Sequence, residues 1–169
     1  MNIYLTGFMG CGKSSMGKEI AAALNLEVSD TDALVQESAG MTIPEIFAQQ
    51  GEAAFRQMES EVLRSIPDQR LVITGGGLPC SEANWNYMKQ HGYIVYIEVP
   101  VPVLFERLRI DRNKKQRPLI CRLDDNELKD YILTSIDQRK VFYERADYIF
   151  PSPEQNIKVL IEKLKTLKL

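Results

Sequence analysis

The sequence predicts an α/β fold, a parallel sheet covered by helices on both faces. Two observations carry that expectation. Short apolar runs alternate with amphipathic segments along the chain, the pattern of strand–helix–strand crossovers. A glycine-rich phosphate-binding signature also stands between the first apolar run and the first amphipathic segment, where a strand hands over to a helix. A length of 169 residues fits about one domain, residues 1–169, with room for a sizeable core.

The elements follow in order. Residues 3–6 form a strand ending at Gly7. Residues 13–24 form a helix with Met16, Ile20, Ala23 and Leu24 on one face. A brief strand at 26–28 precedes a helix at 31–38, which Gly40 stops. Helices at 43–50 and 52–65 lead to a strand at 70–74 closed by three glycines. A helix at 81–90, a strand at 93–99 and a helix from 103 to 109 follow. Residues 111–116 are polar and basic, a poor match to packed structure. A helix at 128–143 and a strand at 148–150 come next. Ser152, Pro153 and Glu154 read as the N-cap, first-turn proline and first-turn acid of a last helix. Its buried stripe is Ile157, Leu160, Ile161 and Leu164.

Composition excludes several classes of function. Hydrophobic residues make up 44% and charged residues 26%, ordinary globular values. With 21 Lys+Arg against 23 Asp+Glu, no basic excess advertises nucleic acid or an anionic membrane. Cys11, Cys80 and Cys121 are far apart and accompany a single histidine, His91, which argues against a zinc site and for reduced thiols in the cytoplasm. No apolar run approaches the roughly 18 residues of a membrane span.

The chemistry starts at Gly7. Gly7-Phe8-Met9-Gly10-Cys11-Gly12-Lys13-Ser14 fits G-x-x-x-x-G-K-[ST] at every fixed position. Such a loop turns backbone N–H groups inward, and the following helix adds the positive end of its dipole, so that together they hold polyphosphate. Lys13 reaches the β- and γ-phosphates, and the Ser14 hydroxyl meets Mg²⁺. Asp30 and Asp32 follow the second strand, where carboxylates face the ligand crevice of a parallel sheet. One of them alternatively caps the next helix. Arg56 is either a fork for a substrate carboxylate or one half of an ordinary pair with Glu59 at i+3. Gly75, Gly76 and Gly77 at the end of the central strand suggest close approach to the backbone, with a ligand the favoured visitor. No aspartate ends that strand, so Asp30 is the expected substitute for a metal-supporting carboxylate. Arg109, Arg112, Lys114, Lys115 and Arg117 form either a solvated loop or a lid whose arginine closes over the transferred phosphoryl group.

The ordered set of motifs resembles the shikimate kinases nearly end to end, from Ile3 to about Leu164. It rests on GFMGCGKSS, on DTD after the second strand, on GEAAFRQMES, on GGG, on RPLI and on the later arginine helix. The resemblance implies a P-loop fold of the nucleoside-monophosphate-kinase type with a five-stranded parallel sheet. It implies ATP-dependent phosphorylation of the 3-hydroxyl of shikimate, a step toward chorismate and the aromatic amino acids. By the same match, Asp32, Arg56, Gly76 and Arg139 bind shikimate, flanked by Gly75 and Gly77, with both arginines on the carboxylate. Gly10, Cys11, Gly12, Lys13, Ser14 and Ser15 hold ATP. Asp30 supports Mg²⁺ beside Ser14, and Arg117 is the lid arginine. Pro153 and Gln155 lie against adenine opposite an arginine, Arg107 in preference to Arg109. Acceptor-binding helices fall at about 31–65 and a lid at about 110–122. Lys13, Asp32 and Arg117 then carry catalysis. The expected partners are ATP and shikimate, with no nucleic acid and no membrane, and the expected state is a cytoplasmic monomer. The competing readings are a gluconate- or nucleotide-kinase-like enzyme on the same scaffold, or a nucleotide-binding switch without turnover.

Overall fold

The computed structural model describes residues 1–110, 117–152 and 156–167. Its five strands are β1 (Asn2–Thr6), β2 (Glu27–Asp30), β3 (Arg70–Ile73), β4 (Gly92–Glu98) and β5 (Tyr148–Pro151). They form one parallel sheet in the order β2-β3-β1-β4-β5. All five residues of β1 are buried, as a central strand covered on both faces requires. Leu5 pairs with Ile73 on one side and Val95 on the other, so the ends of β1, β3 and β4 open at one level.

Alternation along each strand sorts side chains onto two faces. Ile3, Leu5, Leu71, Val95 and Ile97 pack on one side. They meet α1 (Lys13–Leu24), α5 (Val101–Arg109), α6 (Asp125–Tyr143) and α7 (Ile157–Lys165) through Ile20, Leu104, Ile132 and Leu160. Tyr4, Val72 and Ile94 point the other way, against Leu63 of α3 (Ile43–Ser65) and against Trp85 and Met88 of α4 (Glu82–His91). A separate small core of Val35, Ile46, Phe55 and Val62 joins α2 (Thr31–Ala39) to α3. The two helices beside the candidate acceptor site thus carry apolar support of their own.

The helix ends explain most boundaries. Gly40 takes φ 63° as the cap that closes α2, a conformation glycine adopts without steric cost. Thr42 and Glu45 form a reciprocal capping box at the start of α3. Gly51 (φ 84°, ψ 172°) breaks α3 into two helical stretches, the division expected between 50 and 52. β2 runs two residues beyond the expected 28 because Ser29 and Asp30 pair with Val72 and Ile73, a ladder that hydropathy does not reveal. α5 starts at Val101 rather than 103, with a proline in its first turn. The expected cap at Ser152 is corrected. α7 begins at Ile157 and is capped by Asn156, whose Oδ1 accepts from Lys158 N at 2.9 Å. Pro153 and Gln155 lie outside the described residues, as do Arg112, Lys114 and Lys115 of the expected lid. Among the described residues no helix is long and apolar enough to cross a membrane.

α6 carries Arg139 and depends on a strong start. Asp124 Oδ1 accepts from Asn126 N and Glu127 N at 2.8 and 2.9 Å, and Glu127 Oε2 accepts from Asp124 N at 2.9 Å. Asp124→Ala is expected to destabilise the protein by about 1 kcal/mol, read as a lower urea midpoint at unchanged slope. An unchanged midpoint would mean that packing of Leu128 and Ile132 alone fixes the start of α6.

Candidate active site

The site is assembled at the carboxyl ends of β1, β3 and β2. After β1 the chain turns through the phosphate loop into α1. Gly12 caps that helix at φ 99°, a left-handed position that favours glycine. The Lys13 side chain folds back over the loop, its Nζ donating to Gly7 O at 2.7 Å and to Phe8 O at 3.1 Å. Cys11 Sγ lies 3.6 Å from the same Nζ. Ser14 and Ser15 are exposed in the first turn of α1. Arg107 reaches the loop from α5 and donates from Nη1 to Gly10 O at 3.1 Å. Arg109 does not take that place, being paired with Glu106 at 2.6 Å and set over the Phe105 ring. Of the two arginines, the structure brings Arg107 to the phosphate loop.

At the end of β2 the two aspartates separate. Asp30 is the N-cap of α2, its Oδ1 accepting from Asp32 N at 3.0 Å and Ala33 N at 3.4 Å. Asp32, still in the first turn of α2, points across to Gly75 just beyond β3. Thr31 Oγ1 accepts from Gly75 N at 2.9 Å and ties the start of α2 to the glycine stretch.

That stretch is the centre of the arrangement. A Cβ atom on Gly75 would stand 2.5 Å from Asp32 Oδ1 and 2.6 Å from Glu59 Oε1. One on Gly77 would stand 2.6 Å from Arg56 Nη1, and one on Gly76 3.3 Å from Arg139 Nη1. The expected visitor to this backbone was a ligand. The protein's own charged side chains lie against this backbone, and all three glycines also line a cavity open to a ligand.

The structure bears on one of the two readings of Arg56, the pair with Glu59. Arg56 does pair with Glu59 at i+3, Nη1 to Oε2 at 2.6 Å, and with Glu52 at 2.9 Å. Yet Glu59 is only 1% exposed, so this is no surface pair. What the sequence did not reveal is that Glu59, the i+3 partner of Arg56, is a buried acid on the wall of the site. A signal existed, since Glu59 shares its helix stripe with the buried Phe55, Val62 and Leu63, a place where an acid requires a partner.

A cavity of about 550 Å³ lies above the glycines, within the range of small-molecule sites. Asp32, Arg56, Glu59, Arg117 and Arg139 line its polar side, and Ile43, Phe47, Phe55 and Leu119 its apolar side. Arg139 Nη1 is buried and has no hydrogen-bond partner among the described residues.

The family model of shikimate kinase matches residues 9–168. A shikimate kinase from Bacteroides thetaiotaomicron is 40% identical over 156 residues, covering 91% of this chain and 88% of that protein. This chain belongs to the shikimate kinase family. The crystal structure of a Bacteroides thetaiotaomicron shikimate kinase superposes with a TM-score of 0.87 at 36% identity, over 98% of this chain and 96% of that one. A shikimate kinase from Acinetobacter baumannii, solved in complex with shikimate, gives a TM-score of 0.86 at 30% identity, over 97% of this chain and 90% of that one. The P-loop fold with its five-stranded parallel sheet is therefore the shikimate kinase fold, and the chain is an ATP-using phosphotransferase.

Electrostatics in this shikimate kinase site are set by crowding. Burial raises the Asp32 carboxyl above its ordinary value, and Asp30 adds to that, while Lys13, Arg117 and Arg56 pull it down. Burial pushes the Glu59 carboxyl up to about 7, against the opposing pull of Arg56 and with some repulsion from Asp32. The Arg56 guanidinium itself is held more firmly charged by Glu59 and Glu52, despite its own burial. Contact favours the ion pair and burial favours the neutral acid; for Glu59 burial wins.

A raised carboxyl binds a proton in the folded state that it has lost in the unfolded one, so its contribution to stability falls as pH rises from about 4.5 to about 7. Glu59→Gln removes this dependence. The stability of the parent chain minus that of Glu59→Gln is expected to drop across that interval and then level off, measured by thermal unfolding at a series of pH values. Parallel curves for the two proteins would show that Glu59 keeps an ordinary carboxyl.

Proposed function

We propose that this chain transfers the γ-phosphoryl group of ATP to the 3-hydroxyl of shikimate, a step toward chorismate and the aromatic amino acids, as a single kinase domain, monomeric and cytoplasmic. The observation that carries the reading is Arg139 Nη1, a buried guanidinium nitrogen without a partner among the described residues, on the wall of a cavity that also holds Arg56. A buried unpaired donor on a cation is costly. A carboxylate on a small hydroxylated ring satisfies it, and shikimate is such an acid. Family membership and the shikimate complex of the Acinetobacter baumannii relative support the same choice.

Each residue then has a task. The phosphate loop from Gly10 to Ser15 cradles the β- and γ-phosphates with its N–H groups, and Lys13 gives up its carbonyl contacts to meet them. Arg107 flanks the nucleotide on the loop side. Arg56 and Arg139 hold the acid by paired hydrogen bonds, and Gly75, Gly76 and Gly77 supply a floor of backbone beneath it. Asp32 orients the acceptor hydroxyl and takes its proton on a carboxylate oxygen. Arg117 offsets charge on the group in flight.

The donor set near the loop fits Mg²⁺. Ser14 offers an exposed hydroxyl and Asp30 a carboxylate, both hard oxygens. Among the described residues no cluster of three or more acids, histidines or cysteines forms a protein-only cage, in keeping with an ion that is shared with substrate phosphates. When bound, it neutralises charge on the β- and γ-phosphate oxygens.

The test is coupled ADP release over a panel of hydroxy acids, gluconate and nucleotides, with shikimate expected to be the substrate turned over. Arg56→Lys is expected to raise the shikimate KM by the equivalent of about 1.5–3 kcal/mol and to leave the ATP KM unchanged. Turnover of another acceptor in place of shikimate, or a rise confined to the ATP KM, would refute the assignment.

A further inference from the structure

Tyr143, at the end of α6, stands behind the acceptor cavity and has no task in the mechanism above. Its side chain is fully buried, with 0% exposure. Its ring stacks on Tyr96 with centroids 4.7 Å apart and planes 20° apart. Its hydroxyl donates to Gly76 O at 2.5 Å, a bond across 67 positions of sequence. The Arg139 guanidinium, one helical turn earlier, lies beside that hydroxyl.

The glycine stretch needs such support. Three consecutive glycines have more backbone freedom than any other triplet. Gly75 O and Gly77 O are satisfied locally, by Leu78 N at 3.2 Å and Cys80 N at 3.0 Å. Those turns fix the shape of the stretch but not its place relative to the helices around it. Two long-range bonds do that. Gly75 N donates to Thr31 Oγ1 on α2, next to Asp32. Gly76 O accepts from Tyr143 on α6, one turn from Arg139. The only other donor on Gly76 O among the described residues is the Cys80 thiol at 3.8 Å, a weak one.

We propose that Tyr143 is a positioning residue of the acceptor site: its buried hydroxyl tethers the Gly76 carbonyl to α6 and so sets the distance between the glycine floor and Arg139. The assignment rests on the reading of Arg139 as a ligand of the acceptor carboxylate. A tyrosine here does what a phenylalanine of the same shape does not. The ring secures packing against Tyr96, and the hydroxyl fixes the plane of the Gly76–Gly77 peptide, which is rigid once one end is held. With the hydroxyl gone, the floor and Arg139 move independently and the acid loses a defined pocket.

Tyr143→Phe keeps the ring and its stacking and removes only the tether. Steady-state kinetics should show the shikimate KM raised about tenfold, the scale of one lost positioning hydrogen bond, with the ATP KM unchanged. In an Arg139→Ala background the same substitution should have a much smaller effect, because the partner being positioned is gone. A lowered melting temperature with both KM values unchanged overturns the proposal, as does an equal rise in both, or full additivity of the two substitutions. Arg139→Ala alone separates this proposal from the reading beneath it. A shikimate KM that does not move in Arg139→Ala removes the acceptor assignment and the tether with it. A KM that rises there but not in Tyr143→Phe removes the tether alone.

Discussion

The convergence of three helices on the end of β3 depends on space that side chains would fill. Asp32 comes from α2, Arg56 and Glu59 from α3, and Arg139 from α6, and all four meet residues 75–77. Cβ atoms at Gly75 and Gly77 would fall within 2.6 Å of their charged groups, distances that force something to shift. None of the three glycines has a positive φ, so their role is not backbone freedom in a turn. It is the removal of bulk, which lets carboxylates and guanidiniums lie on bare main chain.

That crowding has electrostatic consequences. Three arginines, Arg56, Arg117 and Arg139, face two acids, Asp32 and Glu59, around one cavity. The surplus is cationic, in a protein whose net charge is −2. Opposite charges held this close and this dry attract strongly, and the same dryness raises both carboxyl groups. Glu59 spends itself on Arg56 and keeps that guanidinium in place, while Arg139 retains a nitrogen without a partner among the described residues. On the proposed reading, one arm of the carboxylate clamp is held by the protein, and the other is left to the acid.

The phosphate loop and its helix were the most legible part of the chain. Gly12, Lys13 and Ser14 dictate their conformation through local chemistry, and α1 spans Lys13–Leu24 as the periodicity indicates. Gly40 and Gly51 were equally readable as breaks, because punctuation by glycine is local. What was hidden depends on tertiary placement. Arg56 and Glu59 at i+3 look the same in sequence whether the pair faces water or a core. Ser29 and Asp30 are too polar to announce a strand, and only pairing with β3 makes them one. Asp30 and Asp32 are two residues apart, about half a helical turn, which decides that the first caps α2 and the second points to the glycines. At α7, Asn156 prevails over Ser152 because the cap is set by where the helix docks, through Leu160, Ile161 and Leu164, rather than by the better local motif.

Gly77→Ala tests the central role of the glycine floor most directly. The clash it creates falls on the far end of Arg56, a flexible side chain that yields at little cost in stability. The account therefore separates folding from function at this position. Thermal unfolding should change little, within about 1 kcal/mol, while the dissociation constant for shikimate, measured by calorimetric titration, should rise tenfold or more, on the order of a lost charged hydrogen bond. Affinity for ATP should stay as it was. Unaltered shikimate affinity in a folded Gly77→Ala protein would contradict the account, because Arg56 would then hold its position without the space that residues 75–77 provide.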